Sequence, residues 1–145
     1  MGYNQPEIEP EDLSDAITDA LREYSNGIRK KVDAITEQTS NAVKKELKET
    51  SPKRNGKGLK RYKSGKSYKS GAYAKAWTSS VVYNVSDNKR IVIGNKQHYY
   101  LTHLLEYGHA TRNGGRARAI PHIKPVEEKA IKEFEKKIAE AIQSE

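Results

Sequence analysis

Between Pro10 and Glu49 the apolar residues fall at Leu13, Ile17, Leu21, Tyr24, Ile28, Val32, Ile35, Val43 and Leu47, in steps mostly of three and four. That is the period of one face of an α-helix. Pro10, Glu11 and Asp12 suit its first turn, where a missing N–H costs nothing and acids meet the positive end of the helix dipole. Asn26-Gly27 is the expected weak point, because a glycine inside a helix costs roughly 1 kcal/mol. Unbroken, the helix would be about 55–60 Å long at ~1.5 Å per residue. A chain of 145 residues has material for one domain, and one small sheet cannot cover a stripe of that length. The stripe therefore calls for another helix or another subunit. The polar Thr39 within it and the lack of sustained heptads argue against a coiled coil.

Pro52 closes the helix and a glycine-bearing basic segment follows. From Tyr73 to Val85 alternate residues read Tyr, Lys, Trp, Ser, Val, Tyr, Val, a half-buried strand. Ser86-Asp87-Asn88-Lys89 reads as a turn, and Arg90–Ile93 as a short second strand closed by Gly94-Asn95, which together make a hairpin. Tyr99–Tyr107 switches to helical spacing, with Tyr100, Leu101, Leu104 and Leu105 on one side and Gly108 placed to cap the C-terminus. Thr111–Ala119 is a second basic loop, and Pro125 opens a last helix with an apolar stripe of Val126, Ala130, Ile131, Phe134, Ile138 and Ile142. The organisation expected is a single domain over 1–145: an N-terminal helix over 1–50, a basic flexible loop over 51–72, and a sheet, short helix, second basic loop and C-terminal helix over 73–145.

Apolar residues make up 34% of the chain and charged residues 32%, against an apolar norm of roughly 45–50%. The core is therefore thin, and part of the chain depends on partners for its order. The net charge of +8 is concentrated: from Ser51 to Lys75 stand Lys53, Arg54, Lys57, Lys60, Arg61, Lys63, Lys66, Lys69 and Lys75 with no acid, so the rest of the chain carries −1. Glu7, Glu9, Glu11, Asp12, Asp15, Asp19 and Glu23, by contrast, face only Arg22. A run with so many glycines and serines buries no core and reads as a mobile, solvated loop. The interleaved Tyr62, Tyr68 and Tyr73 offer faces for base stacking beside the cations, so contact with DNA is one alternative. Docking on an acidic protein surface, including the acidic stretch of a neighbouring copy, is another.

Few parts for chemistry are present. The chain has no cysteine, which excludes disulfides and thiolate metal sites and fits a reducing compartment. Nothing at the N-terminus reads as an export signal and no run approaches the ~18 apolar residues of a membrane span, so a soluble protein with no membrane partner is expected. His103, Glu106 and His109 sit three apart, with His98 and His122 nearby, but histidines six apart do not share a helix face. A small-nuclease reading of the His109–His122 block lacks further ligands. Neither a nucleophile elbow nor a phosphate-cradling loop occurs. A non-enzymatic protein without cofactor or metal is expected.

The residues Tyr100-Leu101-Thr102-His103-Leu104-Leu105-Glu106-Tyr107-Gly108-His109, followed by Gly114-Gly115-Arg116 and Ile120-Pro121-His122-Ile123-Lys124-Pro125-Val126-Glu127, resemble the signature of the siphophage tail-completion or neck family. In that family an apolar helix ends in Leu-Glu-(Tyr/His/Phe)-Gly, here Leu105, Glu106, Tyr107 and Gly108. A variable basic loop follows, and a segment with prolines, here Pro121 and Pro125, enters the C-terminal helix. Ser51-Pro52-Lys53-Arg54-Asn55-Gly56-Lys57 is similar to a second element, Pro-x-x-Thr-Gly with basic residues, and departs from it at Asn55. The resemblance implies an α+β fold, with long N-terminal and C-terminal helices packed on a small antiparallel β-sheet. It also implies a homo-oligomeric ring, of six, between the head connector and tail tube proteins of the virion, made in the host cytoplasm. The basic loops, including Arg112, Arg116 and Arg118, would then meet neighbouring rings or passing genomic DNA. The runner-up is a free nucleic-acid-binding module that works through the 51–75 loop.

Overall fold

The computed structural model of the chain describes residues 12–53, 70–85 and 88–144. The expectations for Pro10 and Glu11, for the basic residues from Arg54 to Lys69 and for the turn residues Ser86 and Asp87 lie outside the described residues. The fold is α+β, with a long N-terminal helix and a C-terminal helix packed with a small antiparallel sheet.

Helix α1, Leu13–Thr50, runs 38 residues straight through Asn26-Gly27. The expected weak point does not break it, because roughly 1 kcal/mol for one glycine is small against the continuous backbone hydrogen bonding of a helix of 38 residues. Ser51 ends it, with its N–H still bonded to the Leu47 carbonyl at 3.0 Å and its own backbone extended at φ −58°, ψ 138°. Pro52 causes that turn-out, since its ring excludes the helical region for the residue before it.

A single turn, α2 (Ala72–Lys75), leads into strand β1 (Trp77–Val85), which pairs antiparallel with β2 (Asn88–Asn95). The hairpin departs from expectation at both ends. Tyr73 and Lys75 are helical, so the strand starts at Trp77; and Asn88 and Lys89, expected in the turn, pair with Val85 and Asn84. The alternation also conceals a bulge. Val81 pairs with Ile91 and Tyr83 with Arg90, leaving Val82 as the extra residue. One inserted residue reverses the side that later residues face. Before the bulge, Trp77 enters the core and Ser79 Oγ accepts Lys44 Nζ of α1 at 3.1 Å; after it, Tyr83 and Val85 are exposed.

Helix α3 (Tyr99–Tyr107) follows as expected, then a two-residue ladder of β3 (His109–Ala110) and β4 (Arg116–Ala117) around the expected second loop, and last helix α4 (Ile123–Gln143). Helix α4 begins two residues before Pro125 and lies antiparallel to α1: Lys129 Nζ meets the Glu46 carboxylate at 3.1 Å, and Lys31 Nζ reaches Ser144 Oγ at 3.2 Å. Its covered side carries Val126, Ala130, Phe134, Ile138 and Ala141, whereas Ile131 and Ile142 are exposed.

The core forms at the C-terminal end of α1, from Leu47, Tyr73, Trp77 and Val126, with Val43, Ile93, Leu101, Leu105 and Ile123 packed around them. Tyr73 and Trp77 meet edge to face, ring centres 5.9 Å apart, an arrangement favoured by the ring quadrupoles. The Trp77 indole N–H donates to Ser51 Oγ at 2.7 Å, so the first residue of the basic segment belongs to the core. Asn95 bridges the other side: its amide donates to the Tyr73 carbonyl at 2.8 Å, and its Oδ1 accepts the His98 N–H at 2.9 Å.

Candidate functional site

The orphan N–H groups at the start of α4 belong to His122, Ile123, Lys124 and the residue at 125. Glu106, on the last turn of α3, accepts three of them: His122 N at 2.9 Å and Ile123 N at 3.0 Å on Oε2, and Lys124 N at 2.9 Å on Oε1. The fourth residue is Pro125, which has no N–H to satisfy. One carboxylate and one proline thus close the account for the whole helix start. Glu106 is only 6% exposed. Burial by itself pushes its carboxyl up, but the three backbone donors and the His122 ring outweigh burial and hold it below its ordinary 4.5.

His122 extends the arrangement into the core. Its Nδ1 is 2.8 Å from the Ile120 carbonyl and 3.2 Å from Glu106 Oε2. Both are acceptors, so Nδ1 carries a proton. Nε2 meets the Tyr73 hydroxyl at 2.8 Å, and Tyr73 donates to it in the neutral ring. Burial, and then the charge of Glu106, push the Tyr73 hydroxyl up to about 12, so it keeps that proton.

Gly108 sets the angle at which the chain leaves α3. Its φ 71°, ψ 171° lies in a region open essentially to glycine alone, and a Cβ there would stand 2.5 Å from the Ala117 carbonyl oxygen. The closeness lets β4 and the segment after it run beside α3, where the Ile120 N–H donates to the Leu105 carbonyl at 2.7 Å. Leu105 packs on the core, and Tyr107, 72% exposed, points to solvent.

What this framework presents outward is a basic aromatic face. Tyr99, His103 and Tyr107, four apart, share one exposed side of α3. Arg116 and Arg118 are exposed on β4 and just after it, alternating with the half-buried Ala117 and Ala119, and Arg112 is exposed at the turn between β3 and β4. From Lys96 to His122 the single acid is Glu106, whose charge is buried and engaged, so this segment has no exposed acid of its own. Of the expected contact residues, Arg112, Arg116 and Arg118 are exposed within this one segment. Lys53 is described and exposed at the far side of Pro52, whereas Arg54, Lys57, Lys60, Arg61, Lys63, Lys66 and Lys69 lie outside the described residues.

The motif residues divide into two roles. Leu105, Glu106, Gly108 and Pro125 build the junction, and Tyr107 is displayed by it; Pro121 is exposed on the approach to α4. The histidines separate likewise: His122 is buried against Glu106 and Tyr73, and His103 and His109 are exposed. Among the described residues no group of three His, Asp or Glu is placed to hold a metal ion, and both Glu106 oxygens are taken by backbone. Sequence reasoning missed the parts played by Tyr73, His122, Asn95 and Ser51. The proline on each side of His122 and the Gly94-Asn95 pair carry only turn signals.

Among the described residues no helix is long and apolar enough to cross a membrane. No curated protein and no solved structure matches the chain. A family described as "Bacteriophage HK97-gp10, putative tail-component" matches residues 15–108, a span that runs from the first turn of α1 to Gly108 at the end of the Leu-Glu-Tyr-Gly motif. The chain belongs to this HK97-gp10-like family of bacteriophage tail components.

Proposed function

We propose that the protein is a non-enzymatic ring subunit at the junction of head and tail, needed to join the completed tail to the filled head. The observation that carries the reading is the mismatch between its two long helices. Helix α1 has 38 residues and α4 has 21, or about 57 Å against about 31 Å. Helix α4 ends beside Lys31, so among the described residues nothing of the same chain covers the first part of the α1 stripe, where Leu13, Ile17, Leu21 and Tyr24 are exposed. A stripe of that kind is kept where a neighbouring subunit supplies the cover. The tail-component family supports the virion setting. In this reading the copies form a ring between the head connector and the tail tube, and the basic residues face acidic neighbours or passing DNA.

The test is complementation of a phage deleted for this gene. Without the protein, lysates should hold DNA-filled heads and separate tails in electron micrographs; normal particles would refute the joining role. A variant with Lys60, Arg61, Lys63 and Lys66 all changed to Glu should fold normally, since the core of Leu47, Tyr73, Trp77 and Val126 is built without them, yet fail to restore plaques. Normal titres would assign those four charges to solvation alone. A free nucleic-acid-binding module would instead bind DNA as a monomer with steep salt dependence and leave joining intact.

A further inference from the structure

The uncovered half of α1 and the arginine face of α3 are complementary in the two properties that decide association. Leu13, Ile17, Leu21 and Tyr24 lie on one helix face and are each between 46% and 63% exposed. The stretch that carries them, residues 12–27, holds Asp12, Asp15, Asp19 and Glu23 against Arg22, a net charge of −3. The segment from α3 to β4 and beyond offers Tyr99 and Tyr107, each 72% exposed, and Ile120 at 44%, together with the exposed Arg112, Arg116 and Arg118. Tyrosine and arginine are the side chains most used at the centres of protein interfaces. The two surfaces cannot meet within one chain. The α3 face is tied through Leu105 to the core at Leu47, and Ile17 is about 45 Å from Leu47 along an unbroken helix.

We propose that the acidic apolar stripe of α1 in one copy seats on the tyrosine–arginine face of α3 and β4 in the next. This rests on the ring reading above and specifies how its subunits touch. Two different surfaces of one chain in contact make a head-to-tail interface, which closes into a ring when the rotation allows. Two copies of the acidic stripe facing each other would instead bring like charges together. Assembly belongs to the particle, where copies are concentrated.

The chain lacks cysteine, so every thiol on it is an introduced one. Chains carrying Ile17→Cys, Tyr107→Cys, or both, are supplied to the deleted phage, and purified particles are treated with a short bis-maleimide. The double variant should yield a ladder of multimers ending at the ring size, and the two single variants supplied together should yield mixed dimers but almost no like-with-like dimers. Adding Arg116→Glu and Arg118→Glu should cut the cross-linked fraction at least about tenfold, and Asp15→Arg with Asp19→Arg in the same chain should restore part of it. Like-with-like dimers as frequent as mixed ones, a cross-link from the Ile17→Cys thiol to another virion protein, or a ladder unaffected by the arginine reversals would each overturn the proposal. A ring seen in the particles without the cross-link between the two introduced thiols sinks this interface alone, whereas particles that join heads to tails without the protein sink the ring reading too.

Discussion

Glu106 Oε1 accepts the backbone N–H of Lys124 at 2.9 Å, across a sequence separation of eighteen residues, and ties the last turn of α3 to the first turn of α4. The same carboxylate holds His122 and Ile123, so the entry angle of α4 is set by a residue of another helix. The loop between them, with Arg112, Arg116 and Arg118, is consequently displayed from a fixed base. A short acidic motif thus links the core to the exposed basic face.

Replacing Glu106 by Gln keeps the shape but leaves an NH₂ group facing a backbone donor. Stability at neutral pH should fall by about 2–3 kcal/mol, read from urea midpoints, and Glu106→Ala should cost more because three N–H groups then lose their acceptor. A Gln variant as stable as the parent would show that water serves the helix start equally well.

The same carboxyl predicts a pH dependence. Its folded pKa lies below the ordinary 4.5, so the folded state favours the ionised form. Its contribution is complete above the unfolded pKa and is lost as pH falls below about 4.5 toward the folded value. Denaturation midpoints taken from pH 7 down to pH 3 should drop more steeply for the parent than for Glu106→Gln, and parallel curves would contradict the assignment.

Glycine positions separate space from backbone strain. Gly71 has φ +76° with nothing near its missing Cβ, whereas Gly108 has φ +71° and the Ala117 carbonyl at 2.5 Å. Gly71→Ala should cost about 1 kcal/mol, from left-handed backbone alone. Gly108→Ala should cost several-fold more, because it combines a glycine-only conformation with a clash against backbone that cannot yield. Equal melting temperatures for the two variants would refute the distinction.

Much of the fold is legible because helical period survives in sequence: α1, α3 and α4 appear where apolar residues recur at three and four, and Gly108 ends α3 at the position its place in the pattern predicts. The failures have local causes. Strict alternation from Tyr73 to Val85 hides both the helical turn at Tyr73 and the bulge at Val82, since side-chain period does not register an inserted residue. The role of Glu106 is half visible. A carboxylate near a glycine at a helix end points to an arginine or to backbone donors across the sheet, but that its partners are the N–H groups of α4 depends on tertiary placement, sixteen to eighteen residues away. Tyr73 and His122 stand 49 residues apart, and no spacing rule joins them.

Tyr73 supplies the last prediction, at the alkaline end. Its hydroxyl is pushed up to about 12 from an ordinary 10.0 by burial and by the neighbouring Glu106 charge, so the folded state favours the protonated phenol. The unfolded chain loses that proton first. Stability from this group is therefore complete below pH 10 and is lost as pH rises from 10 toward 12. Phenylalanine at this position removes the titration together with the 2.8 Å hydrogen bond to His122 Nε2. Tyr73→Phe should be less stable by about 1 kcal/mol at neutral pH, and the gap between the two proteins should narrow above pH 10 as the parent loses its advantage. Urea midpoints from pH 8 to pH 11.5 measure the gap, and phenolate absorbance over the same range should show the late-titrating phenol of Tyr73 disappear in the variant. A gap that stays constant across that range would mean that Tyr73 ionises as readily folded as unfolded, and that its hydroxyl is not held in the core by His122.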